Sequence, residues 1–299
     1  MSCRSCHCSR PSHGQRAAAA SRPFVSRSYP PGGEWLYLKV YAHRGRHTEL
    51  LTHHLPALVA RAQPLSDRWF FLRYADPAHH LRVRFHGDPD ALNSELLPIA
   101  HRWAAELIEA GLIAELATGT YQPEITRYGG PSAIDAAERA FHADSQCVLE
   151  QLILREQGKL ELPMGLLLAA NHLELARLLH GDDGWQDWLL ATFAKDKHHK
   201  AFQQYRRQAV RLLDPSDLTA LRGGHELLDS WRRRAPLLRD YARALRDADS
   251  GEVSSAFASM LHVHHNRLSG ASLDEERDAY AIARGVVQAH QDRERQERR

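Results

Sequence analysis

Cysteine is scarce in this chain, and most of it sits at one end. Of the four in 299 residues, Cys3, Cys6 and Cys8 fall within "CRSCHC", while Cys147 stands alone. A structural zinc site wants four ligands at suitable spacing, and no second ligand pair accompanies the first, so no metal is expected. Nothing argues for disulfides either, which makes a reducing cytoplasm the expected compartment. Long apolar runs are missing: no stretch approaches the roughly 18 residues of a membrane helix, and no apolar h-region marks a secretory signal. Net charge is nearly absent too. The 39 Lys and Arg are offset by 37 Asp and Glu, leaving +2. That balance makes no general case for direct nucleic-acid binding, so any cationic function must be local. There is no Walker motif, no dinucleotide fingerprint and no GxSxG elbow, and no cofactor is expected.

What is present has a clear order. Residues 1–33 are rich in Ser, Arg, Pro, Ala and Gly without apolar periodicity, and read as disordered. "EWLYLKVYA" is strand-like, and a helical pattern follows from about 47 to 62. "RWFFLRYA", a "DPAH" turn and "HLRVRFHG" give a hairpin signal. Leu92, Leu96, Ile99, Trp103 and Leu107 then recur at helical spacing within about 89–110, and "LIAELATGTYQPEI" is again extended. This is the β-α-β-β-α-β order of the split βαβ, or ferredoxin-like, pattern. From residue 129 the chain turns helical: a long helix after "GGPS", with Ser132 and Asp135 as a weak capping box, then helices over about 163–180, 184–193, 196–213, 215–246 with breaks, 252–268 and 274–292. The expected fold is α+β. One unit covers 34–292, with a sheet half (34–128) and a helical half (129–292), and a frayed tail covers 293–299.

Three segments could carry chemistry. In "HHLRVRFHG" a strand would turn Leu81, Val83 and Phe85 one way and His80, Arg82, Arg84 and His86 the other. Two readings stay open: a solvated face on an edge strand, where charge discourages aggregation, or a concave face that collects anions through the planar forks of its arginines. Arg73 would join if the register of the partner strand allowed. In "YQPEITRYGG", Glu124 and Arg127 end an extended segment before Gly129 and Gly130, which permit a sharp turn into a helix N-terminus, a natural anion seat; an ordinary surface pair at a corner fits as well. In "SSAFASMLHVHHNRLSG", Ser255, Ser259, His262 and Asn266 share one helical stripe, and Phe257, Met260, Leu261, His264 and Leu268 share another. Histidines at 262, 264 and 265 cannot converge on one metal from a straight helix. His264 reads as a core histidine and His262 as the acid/base candidate. "KDKHHK" at 195–200 reads as a solvated face.

Taken together and in this order, "FFLRYADPAHHLRVRF", "YQPEITRYGG" and "LHVHHNRLSG" resemble the lantibiotic dehydratase C-terminal family, also called the thiopeptide-type bacteriocin biosynthesis domain, over about residues 34 to 290. The large N-terminal domain of full-length dehydratases, which transfers glutamate from glutamyl-tRNA to Ser or Thr of a precursor peptide, has no counterpart, so the chain looks like a split form. The resemblance implies β-elimination of glutamate from the glutamylated peptide, leaving dehydroalanine or dehydrobutyrine. By motif, Arg82 and Arg84 match the paired arginines of the family's strand. Arg127 matches its "RYGG" arginine, and His262 the histidine of its late helix, with Val263 in place of the family's methionine. His80, Tyr121, Glu124 and Asn266 are the substrate-binding candidates. The partners implied are a ribosomally made precursor peptide and a separate glutamyl-tRNA-dependent glutamylating protein; a homodimer is left open. Two other functions compete: a pyridine synthase joining two dehydroalanines in a formal [4+2] cycloaddition with leader-peptide release, and a non-catalytic subunit that presents the peptide. A subunit of that kind would have its arginine face covered, with no cleft.

Overall fold

The computed structural model describes residues 27–193, 195–248 and 253–298. The three N-terminal cysteines and most of the segment expected to be disordered lie outside the described residues. Order begins before Glu34, however. Tyr29 exchanges two main-chain hydrogen bonds with Tyr121, at 2.8 and 2.9 Å, and the two rings stack.

Strands β1 (Trp35–Tyr41), β2 (Arg68–Tyr74), β3 (His80–His86) and β4 (Glu115–Thr118) form one sheet in the order β2-β3-β1-β4, antiparallel throughout. Two helical crossovers, α1 (residues 44–62) and α2 (residues 89–109), complete the expected β-α-β-β-α-β order. Both crossovers contain a π-turn that periodicity did not show. Leu55 N–H reaches back to Leu50, and Leu97 N–H to Leu92. Each π-turn lies just before a proline, Pro56 or Pro98. A proline ring clashes with the carbonyl four residues back, and one wider turn relieves that contact.

Register decides which side chains share a face. β3 lies between β2 and β1, so it is not an edge strand, and the solvated-edge reading of its arginines is corrected. Leu81, Val83 and Phe85 stand beside Phe71, Trp69, Leu36, Leu38 and Val40, in the core packed by α1 and α2. On the other face Arg84 pairs with Tyr37 and Phe70, and Arg82 with Lys39 and Leu72. Arg73 pairs with Leu81 and therefore belongs to the opposite face from Arg82 and Arg84.

The helical half comprises α3 (Ile134–Glu156), α4 (Met164–His180), α5 (Trp185–Thr192), α6 (His199–Ala209), α7 (Pro215–Thr219), α8 (Gly224–Asp247), α9 (Val253–Leu268) and α10 (Leu273–Glu297). Two expectations change. The last helix runs to Glu297, so the tail is helical rather than frayed. The capping box does not form: Ala133 precedes α3 without a side-chain cap, and Asp135 instead binds Arg68 at 2.8 Å and Arg139 at 2.6 Å. Cys147 is packing, as expected; burial pushes its thiol up to about 12.

The exposed edge of β2 joins the two halves. An unpaired edge strand leaves N–H and C=O groups to be satisfied. Here helix side chains satisfy them. The Trp69 backbone meets His142 and Phe71 N–H donates to Ser145 Oγ. Phe71 C=O accepts from Arg267 Nε at 3.0 Å, and Arg73 exchanges both main-chain groups with the Asn266 amide at 2.9 and 2.8 Å. The Arg73 side chain in turn donates to the carbonyls of Arg267 and Leu268, capping α9. These contacts lay α3 and α9 along the sheet edge, next to its cationic face.

Candidate functional site

A cavity of about 260 Å³ opens between the cationic sheet face, the turn after β4 and helix α9. Arg82, Arg84, Tyr121, Glu124, Arg127, His262 and Asn266 all line it. The two halves of the chain thus meet at one hollow, with residues 82 and 262 on its wall together.

Arg84 is buried, and its guanidinium carbon lies 4.3 Å from the Tyr37 ring centroid, 4.9 Å from that of Tyr121 and 5.3 Å from that of Phe70. Its Nε has no hydrogen-bond partner among the described residues. Burial lowers its pKa from the ordinary value, partly offset by Tyr121 and Tyr37. A cation held by aromatic faces, with no carboxylate beside it among the described residues, is ready to receive an anion. Arg82 stacks on Tyr74, 3.2 Å from the ring centroid.

His80 is buried and does not line the cavity, which corrects its place among the substrate-contacting residues. Its Nδ1–H donates to the Ala78 carbonyl at 2.8 Å, and its Nε2 accepts from Arg82 Nε at 3.2 Å. Burial, with Arg82 and Lys39 nearby, lowers its pKa and favours this neutral form. His80 therefore fixes where Arg82 points.

Arg127 sits on a short 3-10 turn, Thr126–Tyr128, ended by Gly129 at φ +96°. A Cβ at Gly129 would come within 2.1 Å of Leu245, so only glycine allows this corner to press onto α8. Arg127 is half exposed; it donates to Glu124 at 2.8 Å and to Ser259 Oγ at 3.2 Å. The Glu124 hydrogen bond raises its pKa. Tyr121 turns its hydroxyl from Arg84 to Glu138 Oε1, 2.9 Å away. Burial pushes Glu138 up to about 7, a shift that the Tyr121 hydrogen bond and Arg68 oppose.

The three histidines of α9 separate. His262 is part-exposed at the cavity, and its Nδ1–H donates to Glu276 Oε1 at 2.8 Å. Tyr280 donates to the same oxygen, also at 2.8 Å. Burial alone would raise Glu276, yet the His262 and Tyr280 contacts outweigh it and hold the carboxyl below its usual value. His264 is a core histidine, bonded to Asp144 at 2.8 Å, and His265 is buried near His172. No cluster of three metal-ligating side chains occurs among the described residues.

Asn266 and Arg267 do more than the stripe pattern showed. Asn266 reaches the cavity, but its amide is spent on the Arg73 backbone, so it docks α9. Arg267 also lines the cavity and is buried, held by Asp144 Oδ2 at 2.8 Å. Asp144 is the hub of a buried ionic cluster that also includes His264 and Arg234, the latter bound in turn by Glu174. Sequence reasoning missed Arg267, although it lies three residues beyond His264 on the buried side of the helix, where an arginine needs a partner. Glu276 and Tyr280 left no local signal, since they come from the next helix.

The chain matches the family described as "Lantibiotic biosynthesis dehydratase C-term" over residues 35–287. It belongs to that family. Among curated relatives, the subtilin biosynthesis protein SpaB of Bacillus subtilis is 27% identical over 272 residues, covering 87% of this chain and 26% of SpaB. The nisin biosynthesis protein NisB of Lactococcus lactis subsp. lactis is 26% identical over 259 residues, covering 84% and 25%. The chain thus spans about a quarter of the length of these relatives. Among solved structures, the tRNA-dependent lantibiotic dehydratase MibB from Microbispora sp. 107891 superposes with a TM-score of 0.81 at 28% identity, covering 88% of this chain and 29% of MibB. The pyridine synthase TbtD, from thiomuracin biosynthesis, shares the fold, with a TM-score of 0.57 at 16% identity over 86% of this chain and 98% of TbtD.

Proposed function

We propose that this chain removes glutamate by β-elimination from glutamylated Ser or Thr side chains of a ribosomally made precursor peptide, leaving dehydroalanine or dehydrobutyrine. The observation that carries this reading is Arg84: a buried guanidinium at the wall of a hollow of about 260 Å³, stacked on aromatics and lacking a carboxylate of its own among the described residues. The reaction removes the peptide α-proton, forms a Cα–Cβ double bond and breaks the bond from Cβ to the ester oxygen. Glutamate leaves with that oxygen in its carboxylate. Charge develops on the peptide carbonyl as the α-proton departs and on the carboxylate as the ester bond breaks. Arg84 and Arg82 suit those two sites, and Arg127 suits a carboxylate of the glutamyl group. His262, with Nδ1–H held by Glu276, keeps Nε2 for proton transfer.

A glutamyl-tRNA-dependent glutamylating activity would supply the ester. The TM-score of 0.81 with a dehydratase, against 0.57 with a pyridine synthase, supports elimination over cycloaddition. The open cavity counts against a purely presenting subunit.

The test uses a chemically prepared glutamylated peptide, with free glutamate and peptide mass followed over time. Arg84→Ala and Arg84→Lys are expected to slow glutamate release by roughly 10²–10³-fold, as for loss of one transition-state donor. Wild-type rates from both Arg84→Ala and His262→Ala would reject the assignment. Release of a cleaved leader peptide from a doubly dehydrated substrate, without glutamate, would select the pyridine synthase reading instead.

A further inference from the structure

A second, larger hollow of about 850 Å³ lies between α6 and α10 and shares no residue with the Arg84 cavity. Arg206 and Arg207 of α6, Arg284 and Arg293 of α10, and Lys195 line it. Asp292 is the single carboxylate among the lining residues, and Arg295 already engages it at 3.5 Å. Five cations gathered on a chain of net charge +2 is a local concentration that folding alone disfavours, since like charges repel. One of these arginines, Arg284, has a buried Nε with no hydrogen-bond partner among the described residues.

Below the charges the hollow is apolar. Gly285 and Phe202 are buried, and Val210 and Ala289 are half-buried beside them. A Cβ at Gly285 would lie 2.3 Å from the Phe202 ring, so the helices close over this floor only because residue 285 has no side chain. Arg206, Arg207 and Arg293 are exposed, which places them at the rim. "KDKHHK" is accordingly more than a solvated face: Lys195 and His199 border the hollow, and His198 is held by Asp278 at 2.7 Å.

We infer that this hollow docks an acidic, partly apolar segment of the peptide substrate, distant from the residue being processed. Identifying the occupant with the substrate rests on the function proposed above. Arginine forks match peptide carboxylates, and an aliphatic side chain fits the floor. Nucleic acid fits less well. It uses an open track of cations with exposed aromatic faces for stacking, whereas Phe202 is only 5% exposed and the His199 ring packs against it, with 5.6 Å between centroids.

The experiment is fluorescence anisotropy on the full chain at physiological salt, with a short fluorescein-labelled peptide of Glu, Asp and Leu. A second peptide replaces Leu with Ser, and transfer RNA serves as competitor. Arg206→Glu/Arg293→Glu is expected to weaken binding of the Leu peptide about tenfold or more, and Arg206→Gln/Arg293→Gln by a smaller factor in the same direction. The Ser peptide should bind roughly fivefold or more weakly than the Leu peptide. Thermal melts establish that each variant is folded. Three results would overturn the inference: equal binding by wild type and both folded variants, equal binding of the two peptides, or transfer RNA binding more tightly than the Leu peptide and losing affinity in the same variants. Anisotropy requires no elimination, so a failure here leaves the Arg84 assignment standing. Conversely, a failed glutamate-release assay with intact binding would remove only the identity of the peptide.

Discussion

Replacing Asp144 with asparagine keeps the side chain's size and removes its charge. In the wild type this carboxylate is almost wholly buried and meets three donors: Arg234 at 2.6 Å, His264 at 2.8 Å and Arg267 at 2.8 Å. Burial alone would raise its pKa, but His264, Arg267 and Arg234 outweigh that and hold it far below the usual carboxylate range. Asp144→Asn leaves Arg234 with Glu174 and leaves Arg267 with no carboxylate among the described residues. Breaking a buried ion pair from one side costs about 3–5 kcal/mol. At roughly 2–4 °C per kcal/mol for a chain of this size class, the melting temperature should fall by roughly 6–20 °C. The pH dependence adds a signature. A carboxyl whose folded pKa is depressed contributes stability that is present above its unfolded value, near 3.8, and is lost as pH falls toward the folded value. Urea unfolding of the wild type should therefore show a slope of up to about 1.4 kcal/mol per pH unit below pH 3.8 from this group, a component missing in the variant. A variant within about 1 kcal/mol of wild type at pH 7 would show that the cluster does not hold α3, α8 and α9 together. A variant retaining the full acid-dependent loss would assign that loss to other carboxyls.

Three other expectations follow from the same geometry. Asn266→Ala deprives the Arg73 backbone of two partners and should cost about 1–3 kcal/mol in urea unfolding; an unchanged midpoint would mean that the edge of β2 does not need this clamp. Glu276→Gln keeps an oxygen for His262 but removes the charge, so kcat for glutamate release should drop about tenfold, less than in His262→Ala, with KM nearly unchanged; a rise in KM alone would make Glu276 a packing residue. Glu138, raised from 4.5 to about 7, binds its proton more tightly when folded than when unfolded. Its contribution is present below pH 4.5 and is lost as pH rises to about 7, so Glu138→Gln should gain stability relative to wild type across that interval; parallel pH profiles for the two proteins would contradict this.

Local patterns carried the sheet half a long way. Alternation in "HLRVRFHG" and the paired runs around "DPAH" marked a hairpin and sorted apolar from cationic positions, because a strand's period of two is a local property. The same holds for the helices from 164 to 268, several of whose ends follow glycines and apolar spacing. Where the reading failed, a distant partner decided. Asp135 left the expected capping box for Arg68 of β2, sixty-seven residues earlier. The last helix outran its expected end at 292. His80 turned inward to Arg82 because the faces of β1 and β2 beside it carry Tyr41 and Tyr74.

The sequence by itself determined the α+β order, the cationic face of β3 and the motif trio that points to the dehydratase C-terminal family; each is written in neighbouring residues or in their succession. Only the tertiary structure decided that Arg84 is buried with no carboxylate beside it among the described residues, that Arg73 belongs to the other face and caps α9, and that His262 is bonded to Glu276 while His264 is bonded to Asp144. Those facts depend on strand register and on contacts that span from 14 to 194 residues of chain. A side chain's partner there is set by packing, which no local spacing encodes.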